Sequence, residues 1–175
     1  MDTFIVTGER NEGKTSFMAR LHRCLQKSNM KISGFICPGI KNKSGSKDFV
    51  LQSLNDDSTI HFASREYHQE YNQYGAFFFN PQALKAGNSI IKGGLKNNCD
   101  IFILDEVGPI ELSGKVWHDL LMNIIAHYSG ILIITVRKTM LERVKEYFEL
   151  KNPVILQIKK TQPEEAARMI IDHKN

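Results

Sequence analysis

The chain has little cysteine: Cys24, Cys37 and Cys99 are an odd number with no recurring spacing among 175 residues. That excludes a disulfide framework as the basis of the fold and suits reduced thiols in a cytoplasmic protein. Long hydrophobic runs are also lacking. The longest apolar stretches, such as Gly130 to Val136, are too short to cross a bilayer, and Met1 to Val6 shows no basic segment followed by an apolar signal core. The expectation is a soluble, non-exported protein with no membrane partner. Charge of one sign is scarce too, with a formal net charge of +4 and no basic cluster denser than Lys41, Lys43 and Lys47 in a Gly/Ser-containing loop. Nothing there calls for a nucleic-acid partner. Six histidines show no ligand spacing with cysteine or carboxylate that would suggest zinc. Neither an internal repeat nor a low-complexity segment occurs.

What is present is enough apolar sequence for a core, 42% of residues, in a chain of one-domain length. A single domain over residues 1–175 is expected. Thr3 to Thr7 reads as a buried strand ended by Gly8, and Gly13 to Lys27 carries helical spacing through Phe17, Leu21, Cys24 and Leu25. Strands are predicted over Lys31 to Cys37, Asp48 to Leu54 and Thr59 to Ala63, the last two forming an antiparallel hairpin insert. Phe77 to Phe79 is a short strand, and Asn80 with Pro81 caps a helix running to about Lys96. Asp100 to Asp105, Ile131 to Val136 and Val154 to Ile158 read as further strands. Helices are predicted over Trp117 to Tyr128, Thr139 to Phe148 and Pro163 to Asp172. This alternation argues for an α/β fold, a mostly parallel sheet covered on both faces, with ligands at the carboxyl ends of its strands.

Between the first strand and the first helix lies Gly8-Glu9-Arg10-Asn11-Glu12-Gly13-Lys14-Thr15, a match to G-x-x-x-x-G-K-[ST]. The glycines let the backbone curl so that its N–H groups face one centre, and the helix that follows adds the positive end of its dipole. That centre is a phosphate site. Lys14 would reach the outer phosphates of a nucleoside triphosphate such as ATP or GTP, and the Thr15 hydroxyl would be a ligand of Mg²⁺, with Ser16 supporting the helix start. The second signal is the apolar strand Ile101 to Leu104 ending in Asp105 and Glu106. On a strand end neighbouring the P-loop strand, Asp105 would hold magnesium directly or through water, and Glu106 would orient and deprotonate the attacking water. A further positive charge is needed for the transferred oxygens; Arg137, at the carboxyl end of the strand Ile131 to Val136, is the leading candidate, and Lys41 and Arg10 are others. The aromatic group Tyr67, Tyr71, Tyr74 and Phe77 to Phe79 reads as a hydrophobic patch under the hairpin more readily than as a base-stacking platform.

The P-loop, Gly34-Phe35, the basic loop leading to Phe49, and Asp105-Glu106-Val107-Gly108-Pro109-Ile110-Glu111-Leu112 together resemble the THEP1-like nucleoside triphosphatases. The Asp-Glu-hydrophobic-Gly-x-hydrophobic-Glu-Leu run is the most specific part of that resemblance. It implies a RecA-like P-loop fold with a small antiparallel insert and slow hydrolysis of assorted nucleoside triphosphates to diphosphates. Residue by residue it implies phosphate binding by Gly8 to Ser16, magnesium at Thr15 and Asp105, water activation by Glu106 and a supporting role for Glu111. Lysines 41, 43 and 47 stand where that family commonly has arginines, and Lys159-Lys160-Thr161-Gln162 stands where it tends to carry Asn-Arg-Asp, so base preference is not implied. Two other functions use the same phosphate site. A small-molecule or nucleotide kinase would need a lid with several arginines, and a nucleotide-dependent binding module would signal its bound state to a protein partner that the sequence does not specify.

Overall fold

The structure is a computed structural model describing residues 1–174. Its ten strands belong to one sheet. β1 (Asp2–Gly8), β2 (Ile32–Ile36), β8 (Ile101–Val107), β9 (Ile131–Arg137) and β10 (Val154–Gln157) run parallel in the order β10-β1-β9-β8-β2. Beyond β2 the sheet continues antiparallel through β4 (Lys47–Ser53), β5 (Thr59–Ser64), β7 (Phe77–Phe79) and β6 (Asn72–Tyr74), with β3 (Gly39–Lys41) paired to β4. The expected α/β architecture is therefore present. Its antiparallel insert holds five strands, more than the hairpin read from the sequence. The additions, β3 and β6, are three-residue edge strands, too short to show a period in sequence.

Strict alternation on the parallel strands divides the core into two layers. Phe4, Val6, Ile101, Ile103, Ile131 and Ile133 face α1 (Lys14–Leu25) and α6 (Pro163–Lys174), where Met18, Leu21, Leu25, Ala166 and Ile170 complete that layer. Ile5, Phe102, Leu104, Leu132 and Ile134 face the other way, toward α2 (Pro81–Lys96), the one-turn α3 (Pro109–Leu112), α4 (His118–His127) and α5 (Leu141–Tyr147). Each central strand is thus apolar on both sides, as a sheet with helices on both faces requires. The predicted cap of α2 is formed: the Asn80 side chain accepts a 2.9 Å hydrogen bond from the Gln82 N–H, with Pro81 at the first helical position. Gly34, at φ 140°, lets β2 lie close to β8; a Cβ there would sit 2.0 Å from the Ile103 carbonyl oxygen.

One expectation needs correction. The strand ending in Asp105 and Glu106 is not the neighbour of the P-loop strand, because β9 lies between β8 and β1 and pairs with both. Strand order is set by which edges meet in three dimensions, and no local pattern in the sequence records it. The consequence is chemical: the register Gly8 opposite Arg137 puts the end of β9 between the two motifs.

Candidate functional site

The carboxyl ends of the parallel strands converge on a cleft of about 470 Å³. One side is the loop from Gly8 to Gly13, which α1 follows directly. Gly13 takes φ 95° and Asn11 φ 58°, the left-handed turns that curl this loop, and neither Ala nor a branched residue would tolerate them as well as Gly and Asn. Lys14, only 6% exposed, folds back over the loop and donates to the Glu9 carbonyl at 2.8 Å and the Gly8 carbonyl at 3.3 Å. Burial lowers its pKa, and Glu106 and Asp105 pull it partly back. The loop already holds an anion of its own. The Glu12 carboxylate accepts the Glu9 N–H at 2.6 Å and pairs with Lys159 at 2.6 Å, tying the loop to the segment after β10. Thr15 is partly buried at the start of α1, and Ser16 is exposed.

Opposite stand the two carboxylates. Asp105 is fully buried, and both of its oxygens are engaged: Oδ1 accepts from the Thr135 hydroxyl at 2.6 Å and Oδ2 from the Cys37 N–H at 3.0 Å. The same Thr135 oxygen accepts the Glu106 N–H at 2.7 Å. One hydroxyl on β9 therefore fixes both residues on β8. The β8–β9 register breaks between Leu104 and Val107, and Glu106 within that break has φ 69°. A bulge of this kind redirects a side chain that regular alternation would send to the opposite face, and for a non-glycine residue it costs about 1–2 kcal/mol of backbone strain. Glu106 is brought to the cleft wall with Lys14 and Arg137, the nearest Arg137 nitrogen lying 3.9 Å from its carboxylate. Burial raises the Glu106 pKa, the Asp105 charge adds to the rise, and Arg137 and Lys14 oppose it. Behind it Glu111 is 3% exposed and accepts the Gly108 N–H at 2.8 Å; burial pushes its pKa up to about 7.

Of the three cations considered from sequence, Arg137 and Arg10 line the cleft, whereas Lys41 is exposed on the edge strand β3 and does not. Lys47 and Arg65 line it instead. Thr135 is the residue that sequence reasoning missed. Its one signal was a lone hydroxyl inside the apolar run Ile131 to Val136, a buried polar group that must find a partner.

Could the residues present accept magnesium? Each Asp105 oxygen spends one lone pair on a protein donor and keeps another, and Thr15 adds a neutral hydroxyl at the head of α1. Asp105 has no exposed surface and is not among the residues lining the cleft, so it would reach the ion through water; a hard cation that keeps several waters and takes one or two protein oxygens fits such a set.

A strand-loop-helix phosphate cradle, facing two carboxylates across an intervening strand on an α/β sheet, defines a P-loop nucleotide-binding protein. The family described as NTPase matches residues 3–171, and the chain belongs to it. A nucleoside-triphosphatase THEP1 from Ignicoccus hospitalis is 23% identical over 121 residues, 69% of this chain and 67% of the relative. Two solved structures share the fold. THEP1 from the hyperthermophile Aquifex aeolicus superposes with a TM-score of 0.68 at 20% identity, over 98% of this chain and 96% of its own. A human cancer-related nucleoside triphosphatase superposes with a TM-score of 0.71 at 14% identity, over 100% and 98%.

Proposed function

We propose that the chain hydrolyses nucleoside triphosphates to diphosphate and phosphate with Mg²⁺. The observation that carries this reading is the bulge that turns Glu106 into the same cleft as Lys14 and Arg137. In the proposal the triphosphate lies on Gly8 to Ser16, with Lys14 exchanging its bonds to the Gly8 and Glu9 carbonyls for the outer phosphate oxygens. Thr15, and Asp105 through water, would hold the metal, which would supply positive charge against the phosphates. Glu106 orients a water and takes its proton, a task its raised pKa suits, because a base titrating nearer neutrality accepts a proton more readily. Arg137 faces the transferred group.

We further infer slow turnover. Arg137 is held beside Glu106 and Lys14 beside loop carbonyls, so both cations must leave existing partners to reach phosphate. Base discrimination is expected to be weak, because Lys159 is engaged with Glu12 and the run Lys159 to Gln162 offers no acidic side chain to read a base edge. No helix among the described residues is long and apolar enough to cross a membrane, and Cys24, Cys37 and Cys99 are free thiols, so a cytoplasmic setting is our reading.

Phosphate release from ATP, GTP, CTP and UTP, each with Mg²⁺ and then with excess EDTA, tests the proposal. Release from several triphosphates that EDTA abolishes is expected. Release that EDTA leaves intact would remove the metal from the account.

A further inference from the structure

The assigned chemistry uses one end of the cleft. The terminal phosphate and its water would lie at the end lined by Arg10, Lys14, Glu106 and Arg137, and the cleft, about 470 Å³ in all, extends from there into the antiparallel insert. That far end is aromatic. Its floor is buried core, where Phe62 and Trp117 stack at 5.4 Å with their planes 16° apart and Phe79 meets Phe62 edge to face at 5.2 Å. Half-buried Phe49 and Phe77 contact each other at 5.8 Å on the same wall. A cation lies against each of these two rings: Lys47 Nζ is 5.3 Å from the Phe49 centroid, and Arg65 Cζ is 5.0 Å from that of Phe77. Both cations are exposed, and among the described residues neither has a carboxylate partner. Apolar walls with a few unpaired polar groups, in a cavity of this size, are what small-molecule sites present.

We infer that the insert end of the cleft binds a second small molecule, a planar aromatic anion, with its ring against the half-buried Phe49 and Phe77 and its acid group on Lys47 and Arg65. The complementarity is double. Ring faces attract a ring, and an unpaired guanidinium beside them takes a carboxylate or phosphate through two parallel hydrogen bonds. Because Glu106 and Lys14 line the other end of the same cavity, this molecule would sit beside the terminal phosphate of a bound triphosphate. That position rests on the triphosphatase reading; the occupancy of the insert end does not. A nucleoside monophosphate and an aromatic carboxylic acid share the required chemistry.

Trp117 is the only tryptophan in the chain and lines the cleft, so its fluorescence reads occupancy with no triphosphate and no turnover. The wild-type chain is titrated with AMP, GMP, CMP and UMP in one arm and with 4-hydroxybenzoate in the other. A saturable one-to-one response in either arm is expected. It should weaken at least tenfold in Arg65→Gln and in Phe77→Leu, and persist in Lys14→Ala. If Phe77→Leu fails to fold, Arg65→Gln alters an exposed side chain and carries the test alone. No saturable response in either arm up to ~10 mM, a weak limit for a specific site, overturns the inference. So does a response that Lys14→Ala abolishes and Arg65→Gln leaves intact, since the probe would then lie on the P-loop. A chain that lacks triphosphatase activity but passes this titration would refute the proposed function alone.

Discussion

Replacing Thr135 by valine removes one hydroxyl and keeps nearly the same shape, but that hydroxyl makes two buried hydrogen bonds. It donates to Asp105 at 2.6 Å and accepts the Glu106 N–H at 2.7 Å. Asp105 has no exposed surface, so its carboxylate would lose one of two protein donors where water cannot fully replace it. A hydrogen bond to a charged group contributes about 1.5–3 kcal/mol, and a buried N–H left without a partner costs about 1–3 kcal/mol. The sum is about 3–4 kcal/mol, taken toward the lower half of those ranges because the cleft admits some water. In a domain of this size that corresponds to a fall of about 6–16 °C in melting temperature. The Glu106 backbone would also lose the contact that holds its left-handed conformation, so phosphate release should fall by about 10- to 100-fold, on the scale of losing one positioning contact. Thermal unfolding followed by circular dichroism, together with phosphate release under saturating triphosphate, gives both readouts. Thr135→Ser restores the hydroxyl and should recover most of each. A valine variant that melts and turns over like the wild type would refute the claim that Thr135 holds the two carboxylates in place.

Three further outcomes follow from the geometry. Lys14→Ala should weaken triphosphate binding at least tenfold, about 1.4 kcal/mol or more, measured by calorimetry. Gly34→Ala places a Cβ 2.0 Å from the Ile103 carbonyl at a φ of 140°, and should destabilise the chain by about 3 kcal/mol or more in urea unfolding. Glu111 titrates at about 7 in the folded chain against an ordinary value of 4.5. Between those values the folded chain keeps a proton that the unfolded chain has released, so stability falls as pH rises through this window and levels off above it. The difference is on the order of 3 kcal/mol as an upper bound. Glu111→Gln should flatten that slope, leaving melting near pH 5 little changed and raising it near pH 8; an unchanged slope would contradict it.

The phosphate loop and the carboxylate pair were legible in sequence because each is a local pattern: fixed glycine spacing between a strand and a helix, and an apolar run ending in two acids. The α2 cap was legible for the same reason. Strand order was not, since the insertion of β9 between β1 and β8 depends on pairing between segments far apart in the chain. Thr135 was hidden because threonine is an ordinary β-branched strand residue, and only the structure shows what its hydroxyl touches. The bulge at Glu106 was equally invisible, being a mismatch in count between two strands. Arg137 was favoured over Lys41 because it follows a strand at its carboxyl end, and the two are separated by position: β3 is an edge strand outside the cleft, while β9 ends inside it.

The central claim is that Glu106 activates water at a P-loop phosphate site. Phosphate release with Mg²⁺, compared between the wild type and Glu106→Gln while triphosphate binding is measured in parallel, tests it most directly. The account predicts unchanged binding and a loss of about 100-fold or more in release, the usual contribution of a positioned general base. Equal release from both chains would contradict it.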